Sequence, residues 1–267
     1  MVVQHNMQAM NANRQLGVTM SGQQKSTEKL SSGYRVNRAA DDAAGLAISE
    51  KMKSQVGGLE QGSRNVSSGI DAIKIQDSAL GEVTDYLQRI KELALAASNS
   101  FTVTDSDKAI YQKEIDQLKE GIAGVANITT YNEKNLLNGS TGDLNITTDG
   151  NGGAAKIAGA NSTLEALGLK DFDVTKDFDL KDIDKALEKV SSMRSDSGAT
   201  QNSLEHLYNI NQTSAYNVTA SESRLEDLDI EKAVGNLDKQ RLLDTISVMM
   251  QKKREEDEED KATRLFN

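Results

Sequence analysis

Ile183-Asp184-Lys185-Ala186-Leu187-Glu188-Lys189-Val190 opens the most regular stretch of this chain. Counting by seven from Ile183 reaches Val190, Ser197, Leu204, Asn211, Val218 and Leu225. Counting by seven from Ala186 reaches Met193, Thr200, Leu207, Ser214, Ser221 and Leu228. Two series offset by three are the spacing at which one face of an α-helix meets partner helices. They predict a single helix over 182–230, on the order of 70 Å long at 1.5 Å per residue. The seam turns polar at Ser197–Thr200 and Asn211–Ser214. The helix is therefore expected inside a bundle, not as a strong autonomous dimer.

A matching pattern lies in the first half. Val66, Ile73, Leu80, Leu87 and Ala94 fall every seventh residue, and Ile70, Val83, Ile90 and Ala97 form a second series broken by Asp77. Ser100–Asp107 interrupts this helix, and Ile110, Ile115, Leu118, Ile122 and Val125 mark another after it. Residues 2–32 carry Val3, Met7, Met10, Leu16 and Met20 at helical intervals among Asn, Gln and Ser. So few apolar residues offset little of the ordering entropy, so this helix is weak alone. Between it and the next helix lies a joint, Ser31–Asp42. There Gly33 admits backbone angles closed to other residues, and Asp41 or Asp42 supplies a carboxylate to cap the following helix.

The middle, 128–181, changes texture to Gly, Asn, Thr and Asp. Leu144–Thr148 alternates like a strand, Asp149-Gly150-Asn151-Gly152 is turn-forming, and Ala155–Ala158 returns, which predicts a β-hairpin. At the far end, Val234, Leu237, Leu242, Ile246, Met249 and Met250 leave an apolar stripe ahead of a charge run. The expected fold is mainly α: an elongated, coiled-coil-like bundle in which the N- and C-terminal halves pack together, with a small β-hairpin near 140–160.

Composition agrees. The chain has 267 residues and no Pro, Cys or Trp. Pro would break long helices, so its absence suits them. A net charge of −10 disfavours nucleic-acid binding, which needs a basic face. No run approaches the ~18 apolar residues of a membrane span, and the first 20 residues lack a cleavable secretory signal.

No residue set carries an enzyme's chemistry. The two histidines, His5 and His206, lie on different helical segments, and Glu205-His206 lacks the second His of a zinc-peptidase motif. The acidic repeats of Asp171–Asp184 lack the Gly and the bidentate Glu of a calcium loop in register. They read as a solvated connection with Phe172, Phe178 and Ile183 turned inward. Gly57, Gly58 and Gly62 lack the Lys-Ser/Thr ending of a phosphate loop and suggest close packing or bending. Neither a catalytic residue nor a cofactor or metal ligand is expected.

Several segments together resemble bacterial flagellin. These are Val2-Val3-Gln4-His5-Asn6 through Met10-Asn11-Ala12-Asn13-Arg14, the joint within Leu30–Ser49, and Leu87-Gln88-Arg89-Ile90-Lys91-Glu92-Leu93-Ala94. They continue with Asn135-Leu136-Leu137-Asn138-Gly139, Ser191-Ser192-Met193-Arg194, Gly198-Ala199-Thr200-Gln201-Asn202, Leu204-Glu205-His206 and Ser221-Glu222-Ser223-Arg224. The resemblance implies an inner tube domain from residues 1–42 and 229–267, and a rod domain from 43–228. The short middle implies that the family's outer variable domains are missing. It also implies self-assembly into an extracellular flagellar filament after export, with other copies, an export chaperone, and junction and cap proteins as partners.

A second implied role is recognition of the monomer by the flagellin-sensing Toll-like receptor, carried at matching positions by Arg89, Leu93 and Glu114, residues that also read as contacts between neighbouring protofilaments. Gly33, Asp41 and Asp42 become the inter-domain joint. The charge run Glu255, Glu256, Asp257, Glu258, Glu259 and Asp260 departs from the apolar, Gln-rich family C-terminus and is expected to face the wet channel of a filament. Competing readings are a hook–filament junction protein of the same superfamily and an unrelated secreted coiled-coil adhesin.

Overall fold

The computed structural model describes residues 7–99, 101 and 103–266, apart from the side chains of residues 8, 9, 257, 258, 261, 262 and 264–266. His5 lies outside the described residues. Among the described residues, six helices and four short strands follow one another: α1 (Met7–Ser32), α2 (Ala43–Ala97), α3 (Asp105–Ile128), β1 (Thr130–Tyr131), β2 (Lys134–Asn135), β3 (Leu144–Thr147), β4 (Ala154–Ile157), α4 (Leu164–Leu167), α5 (Leu180–Glu226) and α6 (Ile230–Phe266). The chain divides into two compact units. One comprises residues up to Lys53 and from Val218 onward, and the other Ser54–Asn217.

The 54–217 unit is held by the predicted seams. Val66, Ile73, Leu80, Leu87 and Ala94 of α2 are all fully buried, as are Ile183 and Val190 of α5. Ile115, Ile122 and Ala126 of α3 join them, with Leu136, Leu137, Leu167, Leu169 and Val174 closing the core from the connecting segment. Two series of apolar residues thus meet as the heptad spacing requires. The break between α2 and α3 ends in a reciprocal cap. Thr104 accepts from the Asp107 N–H, and Asp107 accepts from the Thr104 N–H at 2.9 Å. That hydrogen bond holds the Asp107 carboxyl below its ordinary pKa.

The predicted hairpin forms with Leu144 opposite Ile157 and Thr147 opposite Ala154. A second, smaller hairpin pairs β1 with β2. It turns at Asn132 and Glu133, which both have positive φ. No Asn-Gly or Asp-Gly marks that turn, which is why pattern reading passes over it. Phe172 and Phe178 pack edge to face at 5.8 Å between centroids. The acidic connection is therefore anchored by its apolar members, and no cluster of metal-ligating side chains occurs among the described residues.

In the other unit, α1 and α6 lie together. Gly22 leaves room for Gln240, which accepts from the Ser26 hydroxyl at 2.9 Å. Among the described side chains of these two helices, only Thr19 and Leu237 are buried.

Candidate functional site

The joint is built from both ends of the sequence. Gly33 ends α1 with φ +77°, a left-handed conformation that glycine adopts without a Cβ penalty. The chain then runs antiparallel to the end of α5: Arg35 N–H donates to Glu226 O at 2.7 Å, and Leu228 N–H donates to Gly33 O at 2.9 Å. Val36 is buried beneath them. Asp42 caps α2, its Oδ1 accepting from Gly45 N–H at 2.8 Å. Asp41 instead steadies the turn, accepting weakly from the N–H groups of Asn37 and Arg38 and facing Lys29 at 4.0 Å. Of the two candidate caps, geometry selects Asp42 because it directly precedes Ala43.

Beside the joint sits a cluster that the sequence did not announce. Lys53 Nζ donates to Glu226 Oε1 at 2.7 Å, lies 3.9 Å from Glu222, and stands 5.6 Å over the Tyr34 ring. Glu226 is buried. The Lys53 ammonium holds the Glu226 carboxyl below its ordinary pKa. Burial, and then the adjacent Glu226, push Glu222 above its own. The two neighbouring carboxyls are thus shifted in opposite directions. The four residues come from three separate segments, so no local motif marks them.

The glycines of α2 have a packing role. A Cβ on Gly62 would lie 2.0 Å from Thr148 O, one on Gly69 would lie 2.1 Å from the Ile146 Cδ1, and one on Gly58 would lie 2.7 Å from Gly150 Cα. The β3–β4 hairpin rests directly on this helix face. The polar seam positions of α5 complete the seat. Asn211 Nδ2 donates to Thr148 O at 2.7 Å, and Gln76 Nε2 donates to the buried Ser197 Oγ at 3.0 Å. What reads as weakening of the seam is, at these two positions, a pair of directed hydrogen bonds.

The surface trio is only partly a surface. Arg89 is half-exposed and donates to Glu114 Oε1 through Nε at 3.0 Å and Nη2 at 2.8 Å, and to Glu92 at 3.0 Å. These bonds hold its guanidinium above its ordinary pKa, Glu114 contributing most. Leu93 is 5% exposed and belongs to the core.

Comparison with known proteins joins these features to a family. Residues 3–141 match the model of the bacterial flagellin N-terminal helical region, and residues 180–256 match the C-terminal helical region. The chain belongs to the bacterial flagellins. It is 38% identical to a flagellin of Halalkalibacterium halodurans over 94% of both chains. It is equally identical to a flagellin of Bacillus subtilis, over 94% of this chain and 95% of that one. A flagellar filament core protein of Treponema maltophilum is 37% identical over 91% of this chain. The crystal structure of Bacillus cereus flagellin aligns with 55% of this chain at a TM-score of 0.50 and 25% identity. A flagellar hook-associated protein of Vibrio parahaemolyticus, 15% identical with a TM-score of 0.56, shares the fold.

In this short flagellin the terminal helices present apolar side chains outward. Met10, Val18 and Met20 of α1, and Leu242, Ile246, Met249 and Met250 of α6, are all about half-exposed or more. Further along α6, Glu255, Glu256, Glu259 and Asp260 are exposed, and the side chains of Asp257 and Glu258 lie outside those described. His206 is an exposed side chain on α5.

Proposed function

We propose that this chain is a structural subunit that self-assembles into the bacterial flagellar filament. The observation that carries the reading is the outward apolar face of α1 and α6. Exposed apolar area of this kind is stabilised by removal from water, and a helix pair whose described side chains include only Thr19 and Leu237 as buried needs further helices. Additional copies of the same chain supply them. In this reading residues 1–42 and 229–267 form the inner tube, and 43–228 form the rod. The joint at Gly33, Asp41 and Asp42 sets the entry of α2. The carboxylates of Glu255–Asp260 line the wet channel, because burying them without partners is costly.

Family membership extends the proposal to flagellar export, to chaperone, junction and cap partners, to an extracellular location, and to recognition of the monomer by the Toll-like receptor for flagellin. Arg89 and Glu114 offer that receptor an exposed, preformed ion pair, while Leu93 supports it from beneath. The test is polymerisation of the purified full-length chain, followed by electron microscopy. Long tubular filaments are expected, and Ile246→Asp should abolish them while preserving the helical content of the monomer. A parent chain that stays monomeric under all polymerising conditions, or a variant that polymerises normally, would overturn the assignment.

A further inference from the structure

The tip of the β3–β4 hairpin carries a site of chemistry on the chain itself. The sequence contains two Asn-Gly pairs, Asn138-Gly139 and Asn151-Gly152. In such a pair the glycine amide nitrogen can attack the asparagine side-chain carbonyl, since no Cβ shields the approach. Three conditions favour the attack: a glycine N–H without a hydrogen bond, an asparagine amide free to rotate, and access for water.

Asn151-Gly152 meets all three. Asp149 Oδ1 accepts from Asn151 N–H at 2.9 Å and from Gly153 N–H at 2.7 Å, and Thr148 N–H closes the hairpin onto Gly153 O at 2.7 Å. These bonds fix the backbone on both sides of Gly152. The Gly152 N–H itself makes no hydrogen bond among the described residues, and neither does the Asn151 side chain. Both residues are exposed, and Gly152 has φ +89° with nothing within 4 Å of its Cβ position.

Asn138-Gly139 is the same dipeptide under restraint. Asn138 Oδ1 accepts from Ser140 N–H at 2.9 Å and from Ser140 Oγ at 2.6 Å. Its backbone is bridged to Asn161, and a Cβ at Gly139 would lie 2.6 Å from the Asn161 amide. Cyclisation there must first break this arrangement.

We propose that Asn151-Gly152 is a self-modifying site that converts residue 151 to an aspartyl or isoaspartyl residue, with Asn138-Gly139 protected by the fold. Hydroxide removes the Gly152 amide proton, and the nitrogen attacks Asn151 Cγ. The N–Cγ bond forms, the Cγ–Nδ2 bond breaks, and ammonia leaves, having taken up a proton from water. Water then adds to either carbonyl of the resulting five-membered imide and reopens it to the acid. The net change is uptake of one water and release of one ammonia, with no change in oxidation state.

The product matters to the fold. A carboxylate appears beside Asp149, on a tip that already touches α2 at Gly58. In the isoaspartyl form the main chain passes through the former side chain, adding one atom inside the turn that Asp149 organises. The chemical class of partner that fits is an enzyme that methylates isoaspartyl carboxylates.

The experiment incubates the folded full-length chain at mildly alkaline pH, with peptide mass spectrometry of both segments over time. A parallel sample is kept in denaturant, and a recombinant isoaspartyl methyltransferase with labelled methyl donor serves as the probe. In the folded chain Asn151 should convert roughly tenfold faster than Asn138, the ratio produced by a barrier difference of about 1.4 kcal/mol. In denaturant the two rates should converge, and Asn151→Gln should remove most methyl acceptance from the folded sample. Equal rates in the folded chain, faster conversion of Asn138, or a preference for Asn151 that persists unchanged in denaturant would overturn the proposal.

Discussion

Replacing Gly62 by alanine tests how the hairpin is seated. Helix propensity alone favours the change, since Gly in a helix interior costs about 1 kcal/mol relative to Ala. The tertiary environment opposes it. The added Cβ would lie 2.0 Å from Thr148 O and 2.6 Å from its carbonyl carbon, both backbone atoms with no rotamer to change. Reaching even a 3.0 Å separation requires the strand end to retreat by about 1.0 Å, the difference between those two distances. The same carbonyl is the acceptor for buried Asn211, so a displaced Thr148 leaves that amide short of a partner. Strain of about 1–3 kcal/mol and an under-satisfied buried amide of about 1–3 kcal/mol, less the propensity gain of about 1 kcal/mol, give a net loss of about 1–5 kcal/mol. Gly57→Ala is the control: Gly57 is exposed on the same helix with nothing within 4 Å, so only the propensity gain of about 0.5–1 kcal/mol remains. Equilibrium urea unfolding of the full-length monomer, followed by circular dichroism, reads both at constant slope. A Gly62→Ala chain as stable as the parent would refute the idea that the hairpin backbone rests on this helix face.

Other outcomes follow from the same structure. Leu80→Ala removes a fully buried seam residue and should cost about 2–5 kcal/mol in the same unfolding assay, the range for buried leucine truncations. Asn211→Leu should loosen the hairpin without unfolding the bundle, seen as faster hydrogen exchange at the Thr148 N–H while the amide of Leu80 keeps its protection. Glu222, raised in the folded chain, contributes stability that is fully present below its unfolded-state pKa and is lost as pH rises through its folded value. Glu226, lowered by Lys53, does the reverse: its contribution is present above its unfolded-state pKa and is lost as pH falls through its folded value. Glu222→Gln should therefore flatten the decline of stability on the upper side of the ordinary glutamate range, measured by unfolding at a series of pH values; an unchanged profile would count against the coupled pair. Arg89→Ala should leave monomer stability nearly unchanged, because its ion pairs are exposed. The variant should nonetheless weaken both filament stability and binding to the receptor ectodomain, and unchanged receptor affinity in purified monomer would remove that half of the proposal.

The helices were legible because burial in them is periodic. Every apolar member of the α2 series from Val66 to Ala94 is buried, and the α5 series from Ile183 to Leu204 follows the same rule with Ser197 as its polar member. A spacing of seven places residues on one face of a helix whatever the partner is, so composition and interval suffice. The principal hairpin was legible for a similar reason: alternation and turn residues are local properties. Three things were not. The β1–β2 hairpin turns through Asn132 and Glu133 without a recognisable turn pair. The burial of Leu93 beside exposed Arg89 depends on where α3 and α5 pack, which no local pattern of α2 states. The Lys53–Glu222–Glu226 cluster with Tyr34 assembles from residues up to 192 positions apart in sequence (34 against 226).

The sequence by itself determined that this is a long-helix protein, that it breaks at Gly33 and between α2 and α3, and that it belongs among the flagellins. Only the tertiary structure decided what the irregular residues are for. Gly58, Gly62 and Gly69 make a bed for the hairpin, and Ser197 and Asn211 became hydrogen-bond partners rather than gaps in a seam. Asp42 rather than Asp41 became the cap. The physical reason is one of range. Helix formation and amphipathic patterning act between residues three to seven apart, whereas close backbone approach and the pairing of buried polar groups exist only once distant segments have been brought into contact.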